Sequence, residues 1–169
     1  FYPGGESGKL LRAGAIWENK YRKVEKDKPS RLVKVFGENV ERKSILLCRF
    51  LTSQAPPKEL IDLENDTEEE IKYAIPKAAR FVSLIPFIED KSAFFNRPDM
   101  WWTSQEFIDF NGGDYEEHAI LLCNYFNYID GILNEGKIKN YIIIGNAVPE
   151  GYTTYVLRRN IENNHVEIW

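Results

Sequence analysis

The sequence predicts an α+β domain in which one central helix packs on an antiparallel sheet. Helix-like segments with capping signals occupy the middle of the chain, and three strand-like segments joined by turns occupy its C-terminal part. Helices that precede a run of strands are typical of the α+β class. Hydrophobic residues make up 43% of the 169 residues and aromatic residues 14%, so the chain can bury a sizeable core.

Net charge and the length of the apolar runs argue against two classes of partner. The formal charge of -4 is too weak to indicate a nucleic-acid partner. The longest apolar runs, 119–123 and 141–144, fall far short of the roughly 20 residues that cross a bilayer. We therefore expect no nucleic acid and no membrane insertion. The stretch 20–43 leans basic and 59–70 is strongly acidic, which fits either ordinary solvated surfaces or a charged docking surface.

Cys48 and Cys123 each follow a run of aliphatic residues. Two cysteines are too few for a disulfide framework, and an apolar setting is typical of a buried free thiol. Together with two scattered histidines they show no zinc-ligand spacing. We expect a reducing compartment, no metal and no cofactor.

The N-terminal part of the chain predicts two partner strands within mostly irregular structure. Alternating residues in 31–36 and the apolar run 44–51 predict these strands. Trp17 and Tyr21 stand at helical spacing, but the segment 13–24 is ambiguous. The remaining stretches are predicted to be irregular or turns: residues 1–9, residues 26–30, Gly37-Glu38-Asn39 and Ala55-Pro56-Pro57.

A first helix is predicted from the capping-box spacing of Thr67 and Glu70. Apolar residues continue at helical spacing from Ile71 to Val82. Pro76 lies inside this pattern and is expected to kink or split the helix, because proline lacks a backbone N–H and clashes with the preceding turn. The segment is expected to end at residues 84–87.

A second helix is predicted after a loop at residues 94–98. Thr103 or Ser104 can cap it, and residues 107–110 give it an apolar face. The run Asn111-Gly112-Gly113 is expected to stop it, since these residue types accept left-handed backbone conformations.

The central helix is predicted from Asp114 to about Tyr128. Asp114 and Glu117 have the spacing of a capping box, and an apolar run follows from Ala119 to Phe126. Residues 131–139 are predicted to form the loop that leads into the sheet.

Three strands are predicted in the C-terminal part, at 141–145, 153–159 and 165–169. The run Val148-Pro149-Glu150-Gly151 is expected to join the first two, and Asn163-Asn164 to turn between the last two. Short connections of this kind favour antiparallel pairing.

The stretch from Gly113 to Phe126 resembles the nucleophile helix of transglutaminase-like cysteine peptidases. Segments 79–87, 102–109 and 145–151 are similar to a family of ciliary coiled-coil and C2-domain-containing proteins. The segment Arg49-Phe50-Leu51 with Pro56-Pro57 resembles the stretch just upstream of their peptidase-like domain. The resemblance runs in order over about residues 44–169, whereas 1–43 match poorly. A related centrosomal family keeps a His before its sheet Trp, where this chain has Thr153-Thr154-Tyr155.

The resemblance implies a papain-like or transglutaminase-like core and a division of the chain into two parts. Residues 1–52 would be a partly β upstream segment, between a C2 region and the peptidase-like domain. Residues 53–169 would be the pseudo-peptidase domain, incomplete at its C-terminus. It further implies a place at the base of the cilium, in the transition zone, with B9-domain and tectonic-type proteins as partners. We expect the chain there or in the axoneme, on the cytoplasmic side.

The family pattern places the catalytic positions at residues that cannot perform peptidase chemistry. The nucleophile position holds Tyr115, and a phenol is a poor substitute for a thiolate. Asp114 and its acidic neighbours use the helix dipole for capping and oppose a further anion. The base position maps to Thr153, and the orienting Asp or Asn would follow Trp169. We therefore predict no enzyme activity and a scaffold that binds other ciliary proteins.

Other residues offer weaker alternatives. Cys123 and His118 lie about 140° apart around the helix, so a core thiol and a packed imidazole are expected rather than a catalytic pair. The aromatic residues Trp102, Tyr115 and Tyr155 would line a relic peptide cleft that grips an extended tail, such as a tubulin C-terminus.

The tandem tryptophans, Trp101 and Trp102, are expected to diverge, because neighbouring side chains on one segment point in different directions. One of the two should face outward or into a groove.

Overall fold

The computed structural model describes residues 5–24, 33–90 and 100–169, and α-helices and antiparallel strands pack there around one long helix. The loops predicted at residues 26–30 and 94–98 lie outside the described residues. The helices of the described part are α1 (Gly8–Val24), α2 (Glu68–Ile71), α3 (Ala74–Ser83), α4 (Ser104–Phe110) and α5 (Tyr115–Leu133). Its strands are β1 (Phe36–Glu38), β2 (Ser44–Leu46), β3 (Ile138–Ala147), β4 (Gly151–Asn160) and β5 (Val166–Ile168).

The ambiguous N-terminal segment is helical and begins earlier than expected, at Gly8. The contacts of this helix with the segment that leads into β1 explain why it is helical. The side chain of Glu18 accepts a hydrogen bond from the backbone N–H of Val35, and Gly14 lies against the ring of Phe36, where a Cβ would clash. Tertiary contacts therefore decide a segment that its own periodicity left open.

Residues 31–32 of the predicted strand at 31–36 lie outside the described residues. Within 33–38 the strand begins only at Phe36 and includes residues that were predicted to turn, so the prediction is wrong in position there. Gly37 serves packing within this strand, since a Cβ there would lie 2.8 Å from the Trp101 ring. The turn follows at Asn39, whose Oδ1 accepts hydrogen bonds from the N–H groups of Glu41 and Lys43.

The predicted strand at 44–51 is shorter than expected. β2 pairs with β1 in antiparallel register over three residues, and Leu47–Phe50 then forms a short 3-10 helix. This turn leaves Cys48 exposed, which corrects the expectation of a buried thiol, and buries Phe50 instead.

Pro76 splits the helical pattern, as the sequence predicted. α2 ends at Ile71, and α3 restarts at Ala74 with Pro76 as its third residue. The missing N–H is harmless there, because the first turn of a helix has no intrahelical acceptor for it. The capping box of Thr67 and Glu70 is confirmed.

The capping expectation for α4 is also confirmed, with Thr103 as N-cap and Glu106 completing a capping box. Asn111 ends the helix in the left-handed conformation, at φ 57°. α5 begins at the expected residue but continues to Leu133, past Gly131, so the predicted loop at 131–139 is too long.

α5 is the core of the molecule, because it is buried on almost every side along its middle. It packs against α3, α4, β3 and β4. Two apolar clusters meet at this helix, one centred on Phe126 and the other on Ile120 with Trp101. Ile45 and Phe50 belong to the second cluster, so residues upstream of position 53 pack on the same helix.

The three predicted C-terminal strands are confirmed in order and pairing, with longer first and second strands. β3 and β4 pair in antiparallel register from Ile138 opposite Asn160 to Ala147 opposite Gly151. β5 adds to the other side of β4, with Leu157 opposite Ile168. Val156 faces α5 and is 1% exposed, which fixes the side of the sheet that meets the helix.

In the ranges that the structure describes, every helix is too short or too polar to cross a bilayer.

Candidate active-site relic at the start of the central helix

The start of α5 is a complete capping box. Asp114 accepts a hydrogen bond from the N–H of Glu116 at 3.2 Å, and Glu117 accepts one from the N–H of Asp114 at 3.1 Å. Both carboxylates thus satisfy backbone donors that have no partner inside the helix. The structural role predicted from their spacing is therefore present.

Glu117 also ties the helix start to the tandem tryptophans. Its second oxygen accepts a hydrogen bond from the N–H of Trp102 at 3.3 Å, and its side chain is almost fully buried. Burial raises the pKa of Glu117 to about 7, against its hydrogen bonds with Asp114, which lower it. Burial likewise raises the pKa of Asp114 to about 7. These carboxylates oppose a further negative charge at this helix end.

Tyr115 occupies the predicted nucleophile position and is 45% exposed. Its ring packs on Phe87, with ring centres 4.7 Å apart. Phe87 is itself 48% exposed, so the two rings form an exposed aromatic surface at the start of α5 and not a buried contact. A phenol in this place is accessible to a partner but supplies no thiolate.

His118 is held by main-chain carbonyls on both sides of its ring. Nδ1 lies 2.7 Å from the carbonyl oxygen of Asp114, and Nε2 lies 3.0 Å from that of Ile85. The ring also meets Phe107 edge-on. Because each nitrogen faces a carbonyl, neither is directed at a reacting group. The expectation of a packed, hydrogen-bonded imidazole is confirmed.

Cys123 is fully buried in the larger apolar cluster. Burial raises the pKa of its thiol to about 12, so the thiol is protonated at neutral pH. A protonated, inaccessible thiol is neither nucleophile nor ligand. The core role predicted for this cysteine is confirmed.

Trp102 is held at the start of α5 by its backbone N–H, which donates to Glu117. It is 7% exposed and packs edge-on against Phe110, at 4.9 Å between ring centres. Both tryptophans of the pair are buried, but Trp101 lines a groove. This agrees with the expectation that one of the two would face outward or into a groove.

Thr153 and Tyr155 lie on β4, where Thr153 is 8% exposed and Tyr155 is half-buried. Side chains alternate along a strand, so both belong to the series opposite Val156, the residue that faces α5. The structure therefore brings Tyr115 and Trp102 to the same helix end, whereas Tyr155 points to the other side of the sheet.

A buried charge pair at the far end of α5 was not anticipated from the sequence. Asp130 is 1% exposed and accepts two hydrogen bonds from Arg158, at 2.9 and 2.6 Å. Asn140 and Asn134 donate to the same carboxylate. The hydrogen bond with Asp130 raises the pKa of Arg158 despite its burial. The one feature of the sequence that could have indicated this pair is Asp130 itself, an acidic residue in the apolar part of the central helix.

Within the described ranges, no group of three His, Cys, Asp or Glu side chains is arranged to hold a metal ion. Of the carboxylates at the start of α5, those of Asp114 and Glu117 accept hydrogen bonds from backbone N–H groups in the capping box.

Comparison with known proteins gives two matches. Residues 99–169 match the family described as the CEP76 peptidase-like domain. The chain is 35% identical over 145 residues to Protein CC2D2B of Homo sapiens, an alignment that covers 83% of this chain and 9% of that protein. No solved structure matches the chain. The first match spans the helix start with Tyr115 and the strand with Thr153.

Proposed function

The chain belongs to the CC2D2 family and contains a peptidase-like region, and we propose that this region is a catalytically inactive, transglutaminase-like domain that acts as a protein-interaction scaffold. Its setting would be the assembly of the ciliary transition zone, on the cytoplasmic side. B9-domain and tectonic-type proteins are the proposed partners. The matched stretch spans 9% of the length of the human relative, so these roles concern a longer protein.

The observation that carries the proposal is the chemistry at the start of α5. In the transglutaminase-like pattern, the partial positive charge of this helix end stabilises a thiolate. Here the position holds the exposed phenol of Tyr115. The adjacent carboxylates of Asp114 and Glu117 already engage the helix end, and they disfavour a second anion.

The remaining groups do not replace the missing nucleophile and base. Cys123 is buried and protonated, and the ring nitrogens of His118 face main-chain carbonyls. Thr153, at the proposed base position, has no group that accepts a proton at neutral pH. A fold that keeps the helix and sheet without these groups retains surfaces for binding and no machinery for hydrolysis.

Incubation of the chain with a thiol-reactive activity probe and a mixture of peptide substrates tests the proposal. We expect no labelling at Cys123 and no turnover above the uncatalysed rate. The Cys123→Ala variant is the matched control. Site-specific turnover that disappears in this variant would overturn the assignment of an inactive domain.

A second candidate function is a module that binds an extended tail, such as a tubulin C-terminus. Of the predicted residues Trp102, Tyr115 and Tyr155, the exposed Tyr115 would be the contact, and we keep the name relic site for the surface that it forms with Phe87. The observation that favours this function is the exposed pair of Tyr115 and Phe87, whose rings are tilted with centres 4.7 Å apart. Exposed aromatic groups of this kind are typical of binding surfaces.

Titration of a tubulin C-terminal tail peptide against the chain at low salt tests this candidate. We expect Tyr115→Ala to weaken binding several-fold, while Tyr73→Ala, an exposed aromatic substitution at the boundary of α2 and α3, leaves it unchanged. Equal binding by both variants would exclude the relic site as the contact surface.

A further inference from the structure

A cleft of about 760 Å³ lies between α1 and the sheet, away from the start of α5. We refer to it as the α1–β3 cleft. Its walls come from the exposed side of α1, the segment before β1, the first tryptophan of the tandem pair and the ends of β3 and β4. The lining residues are Trp17, Tyr21, Val33, Lys34, Trp101, Ile142, Ile144, Gly145, Asn146 and Tyr152.

The α1 wall of this cleft is aromatic and exposed. Trp17 and Tyr21 lie one turn apart and stack with ring centres 5.5 Å apart. Trp17 is 50% exposed and Tyr21 36% exposed. Across the cleft, Ile144 and Tyr152 are also exposed. Apolar surface grouped in this way on both walls of a groove marks a binding site rather than scattered surface residues.

The β3 wall offers an open strand edge. β3 has ten residues, and β4 pairs along one side of it. No strand from the described ranges pairs along the other side. The central run 141–144 is apolar, and the edge carries a single lysine and no proline. A long apolar edge without these protective devices is a template for a further strand.

Side chains of β3 alternate, and one series points into the α1–β3 cleft. Ile142, Ile144 and Asn146 line the cleft, and Gly145 contributes backbone between them. An added strand would therefore find both backbone partners and a pocket for alternate side chains.

The charge around the cleft favours an acidic occupant. Lys34 is the single charged residue in the lining, and α1 carries five basic residues and one acidic residue. That acidic residue, Glu18, is engaged with the N–H of Val35 and lies 3.9 Å from Arg22. The buried indole N–H of Trp101 has no acceptor among the described residues.

We propose that the α1–β3 cleft binds an extended acidic segment of a partner protein, which adds to β3 as a fourth strand. Its backbone pairs with the outer edge of β3, its alternate apolar side chains pack on Trp17 and Tyr21, and its carboxylates are attracted by Lys34 and by the excess of basic residues in α1. This site is separate from the surface around Tyr115, so the proposal goes beyond the scaffold function and does not depend on the relic site.

The first test is fluorescence anisotropy with a labelled peptide as long as β3, in which Glu and Val alternate. We expect saturable binding at about 50 mM salt that weakens several-fold at about 300 mM, since exposed charges are screened. Trp17→Ala and Tyr21→Ala should each weaken binding about fivefold or more. Tyr73→Ala, exposed and outside the cleft, should bind like the parent chain.

The second test separates strand addition from simple charge attraction. N-methylation of every second peptide nitrogen blocks the donors on one edge of the peptide. We expect one of the two methylation registers to abolish binding and the other to be tolerated. A peptide of alternating Lys and Val should not bind.

Absence of binding by the Glu–Val peptide at low salt would overturn the proposal. So would equal binding by Trp17→Ala and Tyr73→Ala, or equal effects of the two methylation registers. Loss of binding in Tyr115→Ala but not in Trp17→Ala would assign the acidic segment to the relic site instead. Each of these outcomes leaves the inactive-domain proposal unaffected, because that one depends on turnover.

Discussion

The two ends of α5 both carry buried carboxylates, but they satisfy them in different ways. At the start, Asp114 and Glu117 accept hydrogen bonds from backbone N–H groups. At the other end, Asp130 accepts two hydrogen bonds from the guanidinium of Arg158 on β4. The first arrangement completes a helix, whereas the second joins the helix to the sheet.

The difference has an electrostatic consequence. The opposite charge of a guanidinium offsets part of the desolvation cost of a buried carboxylate. At the start of α5, burial raises the pKa of Glu117 to about 7, and the charges of Asp90 and Glu116 also raise it. The pair of Asp130 and Arg158 is thus a clamp between helix and sheet, whereas Glu117 at the other end of the helix responds to pH.

The largest expected effect comes from breaking the clamp. Arg158→Met leaves Asp130 buried without its countercharge, so we expect the free energy of unfolding to fall by about 3–5 kcal/mol. Urea denaturation measures the change. Arg159→Met, at an exposed neighbouring position on the same strand, is the control and should cost less than about 0.5 kcal/mol.

The double variant of the clamp sharpens this result. Adding Asp130→Asn to Arg158→Met removes the buried charge, so it should recover part of the lost stability. No recovery would show that packing of the Arg158 side chain, rather than charge, holds the helix to the sheet.

The second prediction concerns pH at the start of α5. The pKa of Glu117 is about 7 in the folded protein, against an ordinary value of 4.5. The folded state therefore binds the extra proton, and its contribution to stability is full below about pH 4.5 and is lost as pH rises through 7. Between about pH 5 and 8, a range set by these pKa values, the free energy of unfolding of the parent chain should fall by on the order of 1–2 kcal/mol through this group. This fall should be absent in Glu117→Gln.

Thermal unfolding across this pH range measures the effect, with Glu69→Gln as the exposed control in α2. Carboxyl groups with lowered pKa, such as Glu6 and Glu70, act below this window, because their stabilisation is lost only as pH falls through their folded values. An unchanged pH profile in Glu117→Gln would contradict the assignment.

A smaller effect is expected from the N-cap itself. Asp114→Ala removes the acceptor for the first turn of α5 and should cost about 1 kcal/mol. Thr67→Ala removes the equivalent group from α2, which has four residues and buries none of them. Urea denaturation should show a smaller loss of unfolding free energy for Thr67→Ala than for Asp114→Ala. Equal losses would mean that the burial of α5 does not increase the stabilisation that its N-cap provides.

The smallest structural effect is expected at the exposed nucleophile position. Tyr115→Cys should change the free energy of unfolding by less than about 1 kcal/mol, because the side chain is partly exposed. It should not create peptidase activity, since Thr153 still stands at the proposed base position. Detectable hydrolysis of peptide substrates by this single variant would contradict the account of the relic site.

Local signals in the sequence were sufficient where an element is decided by its own residues. The two capping boxes of α2 and α5, the cap of α4 at Thr103, the break at Pro76 and the stop at Asn111 all appear as predicted. The resemblance to the CC2D2 family is confirmed by the human relative. The domain boundary at 52/53 and the roles assigned to the relic residues stay predictions.

Where the sequence failed, distant residues decided the outcome. Gly37 belongs to a strand because the Trp101 ring needs the space, and Cys48 is exposed because β2 ends in a 3-10 turn. None of these contacts is encoded in the periodicity of the segment itself.

The sequence by itself determined the order of the elements from α2 to β5, the capping boxes that begin α2 and α5, and the phenol of Tyr115 at the start of α5. These features depend on residue type and local spacing. The tertiary structure alone decided which carboxylates are buried or paired with a guanidinium, and which aromatic side chains line the α1–β3 cleft. Burial and contacts between distant segments of the chain set these properties. Both arise only when residues far apart in sequence pack together.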